Sequence, residues 1–348
     1  MPTKEQLKEL QSKSLEEKIQ ISTARIIEWY ETWGGQVYVS FSGGKDSTVL
    51  LDLVRRIYPD VPAVFVDTGL EFPEIREFVK TVDNVVWLRP KMNFVEVIKK
   101  YGYPMISKVI AETVSTAKRG VKWAIMAMQG KQMDGTPSLY RSNNNVRWQY
   151  LLESDVNISH KCCHIMKKTP AKQYEKKSKR KPFIGTMTSE SRLRLDGWLK
   201  NGCNAFSSAR PISTPLSFWN EQDILQYISS KNIDYCKSVY GNIFTKNHKL
   251  CLEKRDRTGC VFCGFGCTAQ KNTNNFLQIE QSHPQLYDYC MRGGKYDETG
   301  HWVPDKGLGM AKVLDAINVQ WWNTEEERDK YRKEYQEKEK EYYNKSEE

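Results

Sequence analysis

Gln36-Val37-Tyr38-Val39-Ser40-Phe41-Ser42-Gly43-Gly44-Lys45-Asp46-Ser47-Thr48 is the stretch that decides the fold. Residues 36–41 form a short run rich in β-branched and aromatic side chains, the pattern of a buried strand; Ser42–Ser47 reads as a loop and Thr48–Ile57 as an apolar helix. Glycines let a chain turn tightly and bring its N–H groups close to an anion, and the helix N-terminus adds partial positive charge. Ser40, Ser42, Gly43, Gly44, Lys45, Asp46 and Ser47 are therefore assigned to an anion site. Lys45 is expected to pair with phosphate oxygens, and Ser42 and Ser47 to donate hydroxyl hydrogen bonds. The G-x-x-x-x-G-K-[ST] spacing is absent, so this is not a Walker A loop.

Working outward, a second strand reads at Ala63–Asp67 and a third at Asn84–Leu88. Strand, helix, strand, helix, strand implies an α/β fold, a parallel twisted sheet with helices on both faces and right-handed crossovers. Asp67 and Thr68 fall at the end of the second strand, where ligands of open α/β sheets bind. Residues 5–32 carry apolar positions at helical spacing and predict one or two amphipathic helices. Pro182–Gly185 reads as a further strand end and Glu221–Lys231 as a helix. Lys118–Lys161 is less regular, with Asn143-Asn144-Asn145 expected to mark a turn. Beyond Tyr240 the chain is polar, cysteine-rich and loop-like up to about Thr273, and Glu325–Tyr343 reads as a solvated helix. The organisation expected is an N-terminal helical segment (1–33), a nucleotide-binding domain (34–240), a cysteine-rich region (241–300) and a charged tail (301–348).

The 348 residues include 53 Lys+Arg against 43 Asp+Glu, a formal charge of +10, which favours polyanionic partners, nucleotide or nucleic acid. No apolar run approaches the ~20 residues that span a bilayer, and MPTKEQLKEL lacks the apolar stretch of a signal peptide, so no membrane partner and a cytoplasmic location are expected. In a reducing compartment the nine cysteines are read as metal-binding, catalytic or buried rather than as a disulfide framework. The basic runs Lys167-Lys168 and Lys176-Lys177-Ser178-Lys179-Arg180-Lys181, with Tyr174 nearby, suit either a nucleic-acid backbone or a solvated helix end.

Ser42–Ser47 resembles the signature loop of the PP-loop ATP pyrophosphatases, or adenine nucleotide alpha hydrolases, and within that superfamily the chain is most similar to the phosphoadenylyl sulfate (PAPS) and adenylyl sulfate (APS) reductases. Val66-Asp67-Thr68-Gly69-Leu70-Glu71-Phe72-Pro73-Glu74 is similar to their DTG-x-x-FPE segment. Ile184-Gly185 through Glu190-Ser191 to Arg194 is similar to G-x-R-x-x-E-S-x-x-R, and Ala209-Arg210-Pro211-Ile212 with Trp219, Asp223-Ile224 and Tyr227-Ile228 to RPI…W…DIW-x-YI. The resemblance implies binding of ATP or another adenine nucleotide, PAPS and APS included, with Mg²⁺. It adds Asp67, Thr68, Gly69, Arg194 and Arg210 to the nucleotide site, with Arg192 a further candidate for phosphates or the acceptor.

Cys162-Cys163 and the later Cys260-Val261-Phe262-Cys263 supply four thiolates, enough for one iron–sulfur cluster or a tetrahedral zinc. The arrangement, with Lys167 and Pro170 following the pair, resembles the APS reductases, in which such residues hold a [4Fe–4S] cluster; the resemblance implies Cys162, Cys163, Cys260 and Cys263 as ligands here. A rival set, Cys251, Cys260, Cys263 and Cys267, is similar in spacing to that of the DNA phosphorothioation ATPases. Cys203, Cys236 and Cys290 read as small buried hydrophobes; His160, His164 and His248 lie close enough in sequence to the cysteines to be minor alternatives as ligands.

Two departures limit the resemblance. The reductases' catalytic cysteine sits in a C-terminal ECG-[LI]-H segment, whereas no cysteine follows Cys290 here, and the arginine of G-x-R corresponds to Met187. The expectation is an enzyme that keeps the nucleotide half of the chemistry, with Lys45 and Asp46 as its catalytic residues. It would cleave ATP to an adenylate and pyrophosphate and so activate an acceptor for sulfur transfer, with a nucleic acid as a candidate acceptor and a thiol or sulfur-donor protein as a candidate partner. The alternatives are a PAPS or APS reductase using a non-standard thiol, and a non-catalytic subunit binding nucleotide or nucleic acid.

Overall fold

The computed structural model describes residues 1–138, 142–269, 274–300 and 302–346. The end of the expected cysteine-rich loop, 270–273, lies outside the described residues. The chain divides into two compact units interleaved in sequence, Met1–Pro90 with Thr169–Gly259, and Lys91–Lys168 with Cys260–Glu348.

In the first unit, α1 (Lys4–Ser12) and α2 (Leu15–Thr32) each begin with a capping box, Thr3 with Gln6 and Ser14 with Glu17. The chain then runs through β1 (Val37–Ser40), α3 (Lys45–Arg55), β2 (Ala63–Val66), α4 (Pro73–Lys80) and β3 (Val85–Leu88). After residue 169 come the strand Lys181–Ile184, the hairpin-like pair Asn204–Ala205 and Ile212–Ser213, and the helix Glu221–Lys231. The sheet order is β3, β2, β1, Lys181–Ile184, Ile212–Ser213, Asn204–Ala205. All neighbours are parallel except the last pair. This is the mostly parallel, helix-flanked α/β sheet expected. Its order reverses between β1 and Lys181–Ile184, the kind of switch point where such sheets bind ligands.

Burial explains the arrangement. Val37, Val39, Ala63 and Phe183 in the three central strands are fully buried, each large aliphatic or aromatic side chain contributing roughly 1.5–3 kcal/mol of transfer free energy. Val49, Leu50, Leu51, Leu53 and Val54 bury the apolar face of α3. The helix Glu221–Lys231 packs on α2 and α3, and a buried ion pair from Lys18 Nζ to Asp223 Oδ2 (2.8 Å) links it to α2. Trp219 Nε1 donates to Ser22 Oγ at 2.9 Å, which in turn donates to the Pro215 carbonyl.

The stretch beyond Tyr240 is not wholly loop: Ile243–Lys246 and Lys249–Leu252 form an antiparallel hairpin. Asn247 and His248 make its two-residue turn with φ of +49° and +59°, the left-handed pair that matches strand twist. His248 is thus an exposed turn residue.

The second unit is mainly helical, with the helices Phe94–Tyr101, Lys108–Ala117, Lys122–Met128, Asn275–Ser282, Pro284–Met291, Met310–Ala316 and Glu325–Ser346. Met105–Ile106 pairs in parallel with Gly264–Phe265. Two expectations are corrected here. Asn143–Asn145 lies inside a short helix, Ser142–Val146, instead of a turn. The tail helix is not wholly solvated: Tyr331 and Tyr335 are buried, and their hydroxyls donate to Asp288 Oδ1 and the Met291 carbonyl, so these two residues, one turn apart, lie on a packed face.

Candidate functional site

The carboxyl ends of β1 and β2 lie side by side, Ser40 opposite Val64, so the loops that follow them are neighbours. Gly43 has φ of +71°, and a Cβ there would come within 2.7 Å of Ile75 Cγ2 and 2.8 Å of Val79 Cγ2, so the turn between β1 and α3 admits only glycine without displacement. Gly44 is the N-cap of α3 and makes no side-chain cap. Ser47 Oγ donates to the Gly44 carbonyl at 2.8 Å, while the Ser42 N–H donates to Ser47 Oγ at 3.2 Å, so the two serines brace the loop from within.

Lys45 is only 2% exposed, and its ammonium lies 3.1 Å from both Asp46 Oδ1 and Glu221 Oε1. Burial pulls its pKa down, but the two carboxylates outweigh that and leave it raised. Burial pushes Asp46 above the usual carboxylate range, against the opposing pull of Lys45, and Glu190 and Glu221 add like-charge repulsion. The Lys45 backbone N–H donates to Tyr240 Oη at 3.3 Å, and that hydroxyl is 2.7 Å from Thr258 Oγ1. Lys45, expected to pair with phosphate oxygens, has two carboxylates at ion-pair distance in the structure.

The other expected residues are placed as follows. Asp67 is buried and pairs with Arg76 (3.0 Å) and Arg89 (3.5 Å), and Gly69 N–H donates to its Oδ1 at 3.4 Å. Thr68 Oγ1 donates to Glu71. Arg194 pairs with Glu190, which also lies 3.9 Å from Arg257. Glu190 is one of the like charges that raise the Asp46 pKa, after burial. Arg210 is committed elsewhere: it forks onto Glu175 at 2.9 and 2.5 Å, and Glu175 also accepts from Tyr38 Oη at 2.7 Å. Arg192 is exposed. Met187 is 2% exposed, in the segment that follows the strand Lys181–Ile184. Glu221, Tyr240, Thr258 and Arg257 were not anticipated. Glu221 stands two residues after Trp219, but a lone glutamate in a sequence carries no sign of a contact 176 residues back.

In the second unit, Cys162, Cys163, Cys260 and Cys263 are brought into one neighbourhood. Burial raises the Cys162 thiol most, and Cys260, Cys163 and Cys263 raise it further. Burial likewise pushes Cys263 up to about 12, helped by Cys260 and Cys163. Cys267 is raised by burial with no cysteine acting on it, and Cys251 belongs to the other unit, where its Sγ contacts the Lys249 carbonyl. The Cys162-Cys163 pair is followed at once by a π-helical turn, His164–Lys168, a distortion frequent at functional sites. None of the nine cysteines is in a disulfide. Soft thiols suit iron or zinc. Among the described residues, however, no three His, Cys, Asp or Glu side chains are already spaced to hold a metal ion. The four thiols are neighbours at electrostatic range and do not form a closed cage.

The sequence matches the phosphoadenosine phosphosulfate reductase domain over residues 36–105 and 85–263, more than half of the chain. The chain belongs to this family. An uncharacterized protein of Methanocaldococcus jannaschii is 26% identical over 328 residues, covering 86% of this chain. The alignment spans only 61% of that relative's length. An adenosine 5′-phosphosulfate reductase of Staphylococcus epidermidis is 26% identical over 213 residues, 60% of this chain and 68% of its own. A phosphoadenylyl-sulfate reductase from Candida auris, solved with phosphate, covers 72% of this family member at 16% identity and a TM-score of 0.37, and 98% of its own length. No helix among the described residues is long and apolar enough to cross a membrane.

Proposed function

We propose that this family member binds an adenine nucleotide on the β1–α3 loop and splits ATP between its α and β phosphates, activating an acceptor as its adenylate for sulfur transfer. The observation that carries the reading is the Lys45 ammonium held between Asp46 and Glu221 at a helix N-terminus. A phosphate site lined by acids suits a magnesium-bound polyphosphate better than a bare sulfate, since acids repel a naked dianion. Met187 supports the same choice: a buried thioether at the position of the reductases' arginine gives a sulfate no charged partner.

In the proposed reaction an acceptor oxygen attacks the α phosphorus in line, the bond to the bridging oxygen breaks, and pyrophosphate leaves with the electron pair. The N–H groups of Gly43 and Gly44, together with Lys45, stabilise the charge on the equatorial and departing oxygens, each preorganised donor contributing a few kcal/mol. Asp46 and Glu221 are the residues that would hold Mg²⁺, which would supply charge neutralisation on the phosphate oxygens. Asp67, Thr68 and Gly69 border the nucleotide, and Arg194 the acceptor side, whereas Arg210 acts by bracing the sheet through Glu175. We assign Cys162, Cys163, Cys260 and Cys263 to a [4Fe–4S] cluster and the protein to the cytoplasm.

The test is pyrophosphate release from ATP, with and without Lys45→Ala. Release that vanishes in the variant supports the reading. A second reading, sulfonucleotide reduction, is favoured by the relatives named as adenosine 5′-phosphosulfate reductases; sulfite release from APS or PAPS without pyrophosphate release from ATP would establish it instead.

A further inference from the structure

A cleft of about 640 Å³ opens in the second unit between the ends of the helices Phe94–Tyr101 and Lys108–Ala117 and the segment that follows Leu152. Lys99, Lys100, Arg119 and Lys161 line it, the first three exposed and Lys161 half-buried. Among the described residues none of the four has a carboxylate at ion-pair distance. Arg119 donates to the Ser115 carbonyl and Thr116 Oγ1, and the Lys100 ammonium rests 5.5 Å from the Tyr101 ring centroid. The two carboxylates of the lining are already engaged. Asp155 is 2.7 Å from the Lys312 ammonium, and Asp297 accepts from the Thr299 N–H and hydroxyl.

The floor is rigid. The Lys118 ammonium donates to the carbonyls of Ser154 (2.6 Å) and Val156 (2.9 Å) and to Asn157 Oδ1 (3.3 Å), which ties the loop wall to the helix end. At the opposite wall Gly102, φ +99°, lets the chain pass where a Cβ would come within 2.5 Å of the Asn157 carbonyl oxygen. The result is a preformed concave surface carrying uncompensated cations and, in Tyr101, a half-buried aromatic ring.

Concentrated, unpaired lysine and arginine call for a partner with several negative charges. A concave shape rejects a planar lipid surface and admits a thin chain. Cations that track phosphates beside a ring on which a base stacks are the elements of single-strand recognition. We propose that this cleft binds the phosphate backbone of a single-stranded nucleic acid. It shares no residue with the β1–α3 loop, so it stands whether or not ATP is the nucleotide there.

The experiment is fluorescence anisotropy of short labelled oligo(dT) and oligo(U) with the full chain, at about 50 and about 200 mM salt. The expected result is binding of both strands that weakens with salt. Lys99→Glu with Lys100→Glu should lower affinity roughly tenfold or more and shrink the log–log salt slope by about 1.4, since each single-strand phosphate contact contributes about 0.7. Lys4→Glu with Lys8→Glu, on the exposed side of α1, changes net charge equally and should leave affinity within about threefold. Both pairs are exposed, and circular dichroism checks that each variant is folded. No binding at the lower salt, equal losses for the two variants, or a charge-reversal effect seen only with anionic vesicles would each overturn the proposal.

Discussion

Glu221 Oε1 and Asp46 Oδ1 each stand 3.1 Å from the same buried ammonium, that of Lys45. A polyphosphate entering the loop must therefore compete with two carboxylates unless a divalent cation accompanies it. Glu221→Gln removes one competitor and one candidate metal ligand while keeping the shape. ATP in EDTA should then bind about fivefold tighter and ATP with magnesium weaker, the scale of a ~1 kcal/mol ion pair. Isothermal titration in the two buffers measures this, and equal shifts in both would show that Glu221 does not face the metal.

Gly43 offers a sharper structural test. Alanine there meets both a left-handed φ and side-chain atoms of α4 at under 3 Å. Gly43→Ala should cost about 1–3 kcal/mol of stability and displace the loop, lowering both the urea midpoint and nucleotide affinity. An unchanged midpoint would mean that the turn is not held as described.

Much of this was legible in sequence because it is local. The strand–loop–helix at 36–55 is written in consecutive residues, as are the alternating elements that dictate the parallel sheet. What escaped depends on long-range meetings. Glu221 reaches Lys45 because the helix Glu221–Lys231 packs on α3 and is pinned on α2 through Lys18 and Asp223. Arg210, read as a phosphate ligand, is captured by Glu175, whose helix precedes the neighbouring strand. Tyr331 and Tyr335 went unnoticed as packing residues because the charges around them mask the apolar side of the tail helix.

The cysteines give a prediction with a proton in it. Burial and mutual repulsion hold Cys162 and Cys263 well above an ordinary thiol, so without metal both are protonated at neutral pH. Metal binding needs the thiolates and must release those protons, so iron capture should strengthen as pH rises from 6 to 9, roughly in that range of assay. Anaerobic protein should be brown with iron and sulfide. Cys260→Ala or Cys263→Ala should lose both, whereas Cys251→Ala should keep them. Zinc without sulfide, or loss of iron in Cys251→Ala, would point to the other ligand chemistry or the other ligand set.

Glu280, in the helix Asn275–Ser282, supplies a stability signature. Burial raises it from 4.5 to about 7, and a hydrogen bond and repulsion from Glu327 of the tail helix add to the effect; among the described residues its buried Oε2 has no hydrogen-bond partner. Between pH 4.5 and 7 the unfolded chain has released this proton while the folded one retains it. The folded state therefore binds more protons, and stability falls as pH rises through that window, levelling off above it. The Glu280→Gln amide can still donate to Glu327 and never ionises. Its melting temperature should match that of the parent near pH 4.5 and exceed it by roughly 2 °C at pH 8, a modest gain because the side chain is only partly buried. Differential scanning calorimetry across the window decides: a variant with the parent's pH slope would show that the two glutamates do not share a proton.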